Sequence, residues 1–292
     1  MLPLAGFADV LTPPFGKPLV HKAGGSVLEY DTSWEIPAMT GQVPGCHWEL
    51  NAVSHHGTFC IVSQARPIGR NRAFLYAVKR LKPEWQNTPV GMAVMNREAE
   101  LGRLISHPHL VPTLDANTDG DEPYLVQPWL QGKTLREFLS RERTAKPAET
   151  IWIIRQIAEA LVALENCGFC HSDVKPCNII VSPNGHATLI DLGLSRRMGE
   201  PALPIDRAVC GTPQYMAPEL ADASQCIDSR ADIFSLGLVM SEMLFGKAKR
   251  QQALPVELKS LLHSMTDKDA SKRPPTAKNL VRHLIAMELA LI

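Results

Sequence analysis

Residues 171–178 read HSDVKPCN, and thirteen positions beyond Asn178 the motif DLG begins at Asp191. Two short apolar runs lie between them, NIIVS at 178–182 and ATLID at 187–191, and the sequence SPNGH joins the two runs. Short apolar runs separated by proline, asparagine and glycine predict a β-hairpin. The hairpin would begin directly after the polar residues of HSDVKPCN and would end at the DLG motif.

The preceding residues, CGFC at 167–170, also match the CxxC motif of thioredoxin-like dithiol enzymes. In those enzymes the first cysteine lies at a helix N-terminus, where the helix dipole lowers its pKa. Here the pair follows a predicted helix over 146–168, in which Pro147 suits the first turn and Gly168 suits the position just past the end. Because Cys167 would meet the negative end of that helix, we predict two packed, mostly buried cysteines and no redox centre.

The N-terminal half has β-type patterns with one helix. FCIVSQA at 59–65 and AFLYAVKRL at 73–81 predict two strands of a hairpin, and YLVQPWL at 124–130 predicts a buried strand with Pro128 at its end or on an edge. The spacing of apolar residues predicts a helix over 92–105. Beyond 131 helical patterns dominate, with a further series from Arg230 to the C-terminus, so the order of elements predicts an α+β protein.

Composition excludes several classes of protein. The chain has 292 residues, and its 30 lysines and arginines balance 30 aspartates and glutamates, so no global field favours nucleic acid or an anionic membrane. Seven irregularly spaced cysteines indicate a reducing compartment. The apolar stretch 233–245 is too short to span a bilayer, and the N-terminus lacks the basic region of a signal peptide. We therefore expect a cytoplasmic protein, with residues 1–46 forming a proline- and glycine-rich extension.

HSDVKPCN and DLG together resemble the catalytic loop HRDxKxxN and the DFG motif of the eukaryotic-like (Hanks-type) serine/threonine protein kinase family. Other motifs follow in that family's order. YAVK at 76–79 resembles its VAIK strand, Glu98 matches its helix glutamate, and CGTPQYMAPEL at 210–220 resembles the end of its activation segment. The resemblance implies a bilobal fold in which a small β-rich N-lobe with one helix (47–130) precedes a larger, mainly helical C-lobe (131–292).

The resemblance also implies a role for each matched residue. ATP and Mg²⁺ would bind between the lobes, with Lys79 on the nucleotide phosphates and Glu98 paired to Lys79. Asp173 would accept or orient the proton of the substrate hydroxyl. Lys175 would offset charge on the transferring phosphate, and a lysine at this position is typical of the serine/threonine branch of the family rather than the tyrosine branch. Asn178 and Asp191 would hold Mg²⁺, because oxygen ligands suit this hard ion. The residues implied in binding the nucleotide are Gly57, Val62, Ala77, Lys79, Gln127, Pro128 and Leu130.

Supporting positions in the C-lobe are implied in the same way. Glu219 and Arg273 would form the ion pair that anchors the activation segment, and Asp232 would hydrogen-bond the backbone of the catalytic loop. Thr212 would bridge Asp173 and Lys175. His171 would serve as a packed, hydrogen-bonded support rather than as an acid or base.

The sequence departs from the family in three places, of which the mildest is Leu192, an apolar replacement for the phenylalanine of DFG. The pattern GxGxxGxV falls on His55, Gly57, Cys60 and Val62, so one glycine of three is present, and we expect a stiffer loop with longer phosphate contacts. Ser172 replaces the arginine before the catalytic aspartate, which leaves no obvious partner for an activation-loop phosphate. We therefore predict that activity does not require phosphorylation of Ser195.

Two alternatives to a protein kinase stay open on the sequence. A small-molecule phosphotransferase of the antibiotic or choline kinase type also has an HxDxxxxN loop, but the segment at 211–219 favours a protein substrate. A pseudokinase that binds nucleotide as a scaffold is supported by the weak glycine-rich loop. Protein serine or threonine hydroxyls are the acceptors that we predict.

Overall fold

The computed structural model describes residues 48–68, 74–119, 122–139, 144–200, 213–221, 226–246 and 254–290. The predictions for the extension 1–46 and for Thr212 lie outside these ranges. Within them, no helix is both long enough and apolar enough to pass through a bilayer.

The N-lobe is an antiparallel sheet with strand order β1-β2-β3-β5-β4. Its strands are β1 (Trp48–His56), β2 (Cys60–Pro67), β3 (Tyr76–Leu81), β4 (Asp115–Asn117) and β5 (Tyr124–Pro128). A single long helix, α1 (Pro89–Leu104), accompanies the sheet, and the Thr88 hydroxyl caps it by accepting from the Gly91 amide at 3.0 Å. A small core joins sheet and helix, and it contains Cys60, Leu81, Met95, Ala99 and Leu125.

The C-lobe is mainly helical. Its helices are α2 (Leu135–Leu139), α3 (Pro147–Asn166), α4 (Arg230–Phe245), α5 (Val256–Met265) and α6 (Ala277–Ala290). Pro147 starts α3, and Gly168, with φ of 81°, follows its C-terminus in the left-handed conformation that glycine adopts without a steric penalty. The α3 helix lies in the centre of the largest core, because its buried apolar positions 153, 154, 157, 161 and 164 all contribute to that core.

Short strands in the C-lobe carry the polar motifs. One sheet has the order β6-β8-β9, with β6 at Lys133–Thr134, β8 at Ile179–Val181 and β9 at Ala187–Leu189. A second sheet pairs β7 (Phe169–Cys170) with β10 (Arg196–Arg197). The antiparallel β8–β9 pairing confirms the predicted hairpin, so HSDVKPCN lies at its entry and DLG at its exit.

The structure confirms the α+β class and the small β-rich lobe with one helix, and it corrects several details. The strand predicted over 73–81 begins at Tyr76, and the short elements β4, β6, β7, β10 and α2 gave no periodic signal because they are too short. Of the two cysteines in CGFC, Cys170 is buried but Cys167 is exposed, so the expectation that both are packed was wrong for Cys167. The reason is that Cys167 occupies the C-cap of α3, where the chain turns out toward solvent.

Candidate active site

A buried lysine lies between two carboxylates at the junction of the lobes. The Lys79 Nζ donates to Glu98 Oε2 at 2.5 Å and to Asp191 Oδ1 at 2.7 Å. Lys79 comes from β3, Glu98 from the middle of α1, and Asp191 from the loop after β9. The structure therefore brings together three residues that the sequence predicted separately, two of them 112 positions apart.

Burial and charge act in opposite directions on this cluster. Burial by itself would lower the pKa of Lys79, but the Asp191 and Glu98 carboxylates outweigh it and raise that pKa above its usual value. Burial also opposes ionisation of Asp191, yet the nearby ammonium of Lys79 lowers the pKa of Asp191 to about 2. For Glu98, burial dominates and the pKa is raised. Glu98 is thus the member of the cluster whose negative charge is hardest to maintain.

Glu98 has a second partner that the sequence did not indicate. The side-chain amide of Gln127 donates from Nε2 to Glu98 Oε1 at 3.0 Å. The sequence placed Gln127 only beside the nucleotide base, since its position near the end of a strand says nothing about contact with a residue 29 positions upstream. Both oxygens of the Glu98 carboxylate are therefore hydrogen-bonded.

The catalytic-loop residues form a compact group at the entry of the β8–β9 hairpin. Lys175 Nζ donates to Asp173 Oδ2 at 2.6 Å, and Asn178 Nδ2 donates to the same oxygen at 3.0 Å and to the Asp173 carbonyl at 2.9 Å. Asp173 and Asn178 are 6% and 5% exposed, so the loop holds them in fixed positions. The arrangement places a carboxylate and an ammonium group within reach of one reacting centre.

A buried carboxylate of α4 holds the backbone of the catalytic loop in place. The Asp232 oxygens accept from the backbone N–H groups of His171 at 2.6 Å and Ser172 at 2.8 Å. Ser172 has a φ of 66°, a left-handed conformation that is uncommon for a non-glycine residue. His171 is fully buried, its Nε2 lies 3.1 Å from the Ile190 carbonyl, and its Nδ1 accepts from the Asp173 N–H at 3.3 Å. These contacts match the predicted supporting roles of Asp232 and His171.

Four of the residues expected to surround the nucleotide share one face of the N-lobe sheet. Strand register places Val62 opposite Lys79 and Ala77 opposite Gln127, so these side chains share one face of the sheet. Pro128 ends β5, as predicted, and Leu130 follows it. Gly57 forms the β1–β2 turn, in which its N–H donates to the Cys60 carbonyl at 2.8 Å.

At the third glycine position, Cys60 packs into the N-lobe core. It is 3% exposed and shares a core cluster with Leu81 and Met95, and burial raises the pKa of its thiol to about 12. The sequence treated this position only as a lost glycine, because core packing at a loop end leaves no local pattern. The expected lengthening of phosphate contacts stays a prediction.

The segment at 213–221 is anchored as expected. Arg273 donates from Nη1 and Nη2 to the two carboxylate oxygens of Glu219. An additional network was not predicted: Arg136 of α2 donates to Glu242 of α4 at 2.6 Å, and the Tyr215 hydroxyl is hydrogen-bonded to both side chains. Its residues have no sequence motif in common, since they come from three distant elements.

The chemistry of the donor set fits a hard cation. Asn178 and Asp191 supply amide and carboxylate oxygens at the two ends of the β8–β9 hairpin, and the Asn178 amide nitrogen already donates to Asp173, which leaves its oxygen directed away from that bond. In the part of the chain that the structure describes, no cluster of three or more histidine, cysteine, aspartate or glutamate side chains is arranged to hold a metal. Amide and carboxylate oxygens are the kind of ligand that hard divalent cations prefer.

A two-lobed α+β fold with this lysine–carboxylate cluster and this loop defines a protein of the kinase class. The family model described as "Protein kinase domain" matches residues 55–253, more than half of the chain, and the chain therefore belongs to the protein kinase family.

Curated relatives are bacterial serine/threonine kinases. The chain is 32% identical over 206 residues to a probable serine/threonine-protein kinase of Streptomyces coelicolor, and this alignment covers 68% of the chain and 30% of the relative. It is 31% identical over 270 residues to a probable serine/threonine-protein kinase of Clostridium perfringens, covering 84% and 39%. It is 35% identical over 170 residues to the serine/threonine-protein kinase PknD of Mycobacterium tuberculosis, covering 58% and 26%. The chain thus spans between 26% and 39% of the length of these relatives.

Proposed function

We propose that this protein is a serine/threonine protein kinase that transfers the γ-phosphate of ATP to hydroxyl groups of protein substrates. The observation that carries the proposal is the Lys79 contact with both Glu98 and Asp191, at 2.5 and 2.7 Å. A lysine held in this way presents a fixed positive charge to a polyphosphate, which is the main requirement of phosphoryl transfer.

Each catalytic side chain has a task that its geometry allows. Lys79 binds and orients the nucleotide phosphates, while Glu98 keeps Lys79 in place. The substrate hydroxyl oxygen attacks the γ-phosphorus, the bond from that phosphorus to the bridging β–γ oxygen breaks, and Asp173 accepts the hydroxyl proton. Lys175, 2.6 Å from Asp173, offsets negative charge on the transferring group.

We propose that ATP occupies the cleft under the N-lobe sheet. Val62 and Ala77 cover the adenine, Gln127 lies at the back of the pocket, and the Pro128 carbonyl and Leu130 amide bind the base edge. Gly57 lets the β1–β2 turn approach the phosphates. Asn178 and Asp191 would hold Mg²⁺, which when bound neutralises charge on the β- and γ-phosphates.

A protein substrate is supported by the anchored segment at 213–221. The Glu219–Arg273 ion pair fixes this segment, which would then be able to support a peptide. The names of the relatives from Streptomyces coelicolor and Clostridium perfringens point to serine and threonine as acceptors. We propose no role in binding nucleic acid or membranes, on the balanced charge of the chain.

The domain limits and the compartment are also proposed. The kinase domain would extend over 47–292, with the lobes at 47–130 and 131–292, after the extension 1–46. A cytoplasmic location is supported by cysteines 60, 167, 170, 177 and 226, all of which are unpaired in the described residues.

The test is transfer of labelled γ-phosphate from Mg-ATP by the full chain to itself, to a generic basic protein and to small-molecule alcohols. Asp173→Ala is the matched variant, because it removes the proton acceptor and leaves Lys79 and Asp191 in place. Label on protein serine or threonine that the variant lacks would support the proposal. Nucleotide binding with no transfer would identify a pseudokinase instead, and label on the small molecules alone would identify a small-molecule phosphotransferase.

A further inference from the structure

The Gln127 side chain connects strand β5 with helix α1. Gln127 Nε2 donates to Glu98 Oε1 at 3.0 Å, while Lys79 donates to the other oxygen of the same carboxylate at 2.5 Å. Gln127 is 8% exposed and Glu98 is 1% exposed, so water does not compete for either bond. We propose that Gln127 is a positioning residue for phosphoryl transfer, which orients the Glu98 carboxylate so that Glu98 in turn holds Lys79. This inference rests on the proposed function and deepens it.

Strand register explains how residue 127 reaches this carboxylate. Ala77 of β3 lies opposite Gln127 of β5, and Lys79 lies two residues beyond Ala77. Residues two apart on a strand project from the same face, so the side chains of Lys79 and Gln127 leave the sheet on the same side. Both therefore meet Glu98 on the helix that packs against that face.

The charges around Glu98 show why a neutral donor is needed there. Lys79 faces Glu98 from β3, Asp191 from the loop after β9, and Cys60 from β2. Burial raises the pKa of Glu98, Lys79 lowers it, and Asp191 raises it again by like-charge repulsion. The hydrogen bond from Gln127 lowers the pKa of Glu98 without adding charge, and so favours the ionised carboxylate that Lys79 requires.

Removing the donor should affect Glu98 specifically. A methionine at 127 has similar length and no N–H, so Glu98 Oε1 would be left buried without that partner. The pKa of Glu98 would rise, and protonated Glu98 would release Lys79 at a higher pH than in the wild-type protein. Loss of activity on the acidic side of the pH profile is therefore the signature of this role.

The experiment measures kcat and KM for ATP from mildly acidic to mildly alkaline pH for the wild type, Gln127→Met and Gln127→Glu. We expect Gln127→Met to lower kcat/KM by about tenfold or more, which is the usual scale for a hydrogen bond to a buried charge. The acidic limb of its pH profile, where activity falls as pH decreases, should move to higher pH. Gln127→Glu has the same size, and while its carboxyl is protonated it can donate to Glu98 as the amide does. This variant should therefore keep activity at acidic pH and lose it at alkaline pH, where both carboxyls would have to ionise.

Gln156→Met is the matched control. Gln156 is also a buried glutamine, 2% exposed, whose amide nitrogen donates to the Gly185 carbonyl at 3.0 Å and whose oxygen accepts from Ala187 N–H at 3.0 Å. Its loss should lower thermal stability and leave the acidic limb unchanged. A folded Gln127→Met with the wild-type pH profile and kcat/KM would overturn the inference. Should Gln127→Met not fold, the isosteric Gln127→Glu decides the question by its loss of activity at alkaline pH, and a wild-type pH profile in that variant would overturn the inference.

Failure of the proposed function is a separate outcome. If the wild type transfers no phosphate, the ionisation of Glu98 is read from the affinity for Mg-ATP as a function of pH. Weaker binding by Gln127→Met at acidic pH only would support the positioning role in a nucleotide-binding protein. Equal affinity of the two proteins at every pH would overturn it.

Discussion

The guanidinium of Arg273 binds both carboxylate oxygens of Glu219, at 2.6 and 3.0 Å, although 54 positions separate the two residues. The Arg273 side chain has no exposed surface, and it also donates to the carbonyls of Asp267 at 2.8 Å and Arg230 at 2.9 Å. This fork ties the segment after the activation loop to the start of α4 and to the loop before α6.

Removal of Glu219 should therefore destabilise the fold. Glu219→Ala leaves a buried guanidinium without its counter-ion, and we expect the free energy of unfolding to fall by about 3 kcal/mol or more. Chemical denaturation with a fluorescence readout measures the change. Asp228→Ala is the control, because its pair with Arg230 is partly exposed and an exposed pair contributes less than about 1 kcal/mol. If the two substitutions lowered the free energy of unfolding equally, the buried Glu219–Arg273 pair would not have the stabilising role assigned to it.

Asp232→Asn should impair catalysis more than binding. The Asp232 carboxylate accepts from the N–H groups of His171 and Ser172, and an amide at this position can accept at one oxygen only. The loop that carries Asp173 would lose one of its two anchors, and misplacement of a catalytic group costs on the order of a hundredfold in rate. We expect a lower kcat with little change in KM for ATP. A variant that keeps the wild-type kcat would show that these two bonds do not set the loop geometry.

Ser195 should be dispensable for activity. Its hydroxyl is buried, and no group in the described part of the chain hydrogen-bonds it. Ser195→Ala should keep full activity and leave stability unchanged or raised by up to about 1 kcal/mol, because it removes an unsatisfied polar group. Ser195→Asp should reduce both, since it buries a charge. Loss of activity in Ser195→Ala with normal folding would instead indicate that phosphorylation of this residue is required.

Acid should destabilise the protein through a cluster of three histidines, two from the N-lobe and one from the C-lobe. The rings of His107 and His186 contact His109 on either side, with centroids 5.6 and 4.6 Å away, and burial lowers the pKa of His107 and of His109 to about 4 from the usual 6.5. Between these two values the unfolded chain binds more protons than the folded one. The free energy of unfolding should therefore fall as pH decreases from 6.5 toward 4.

Thermal melts across that range would measure this effect. His109→Gln should flatten the pH dependence, while His283→Gln, at an exposed position, should leave it unchanged. Carboxylates such as Glu159, which lies 3.6 Å from His109 Nε2, also contribute at acidic pH, so the comparison is between variants. Parallel curves for the wild type and His109→Gln would contradict the prediction.

Much of the site could be predicted from the sequence because its signals are local. The hairpin between Asn178 and Asp191 follows from two apolar runs around a turn sequence, and α3 follows from the 3.6-residue period between Pro147 and Gly168. Short elements such as β4 or α2 extend over too few residues to show a period, and the structure alone located them. Cys167 was misplaced for a related reason, since exposure at a helix end depends on what packs against it.

By itself the sequence determined the order of the elements, the chemical types gathered in HSDVKPCN and DLG, and the identity of the buried helix faces, because propensity, periodicity and motif spacing act within a few residues. Only the tertiary structure decided that Gln127 holds Glu98, that Cys60 packs into the core, and that Arg136 and Tyr215 meet Glu242. Such contacts depend on strand register and on how a helix lies against a sheet. Those are properties of distant segments packed together, and no local stretch of sequence encodes them.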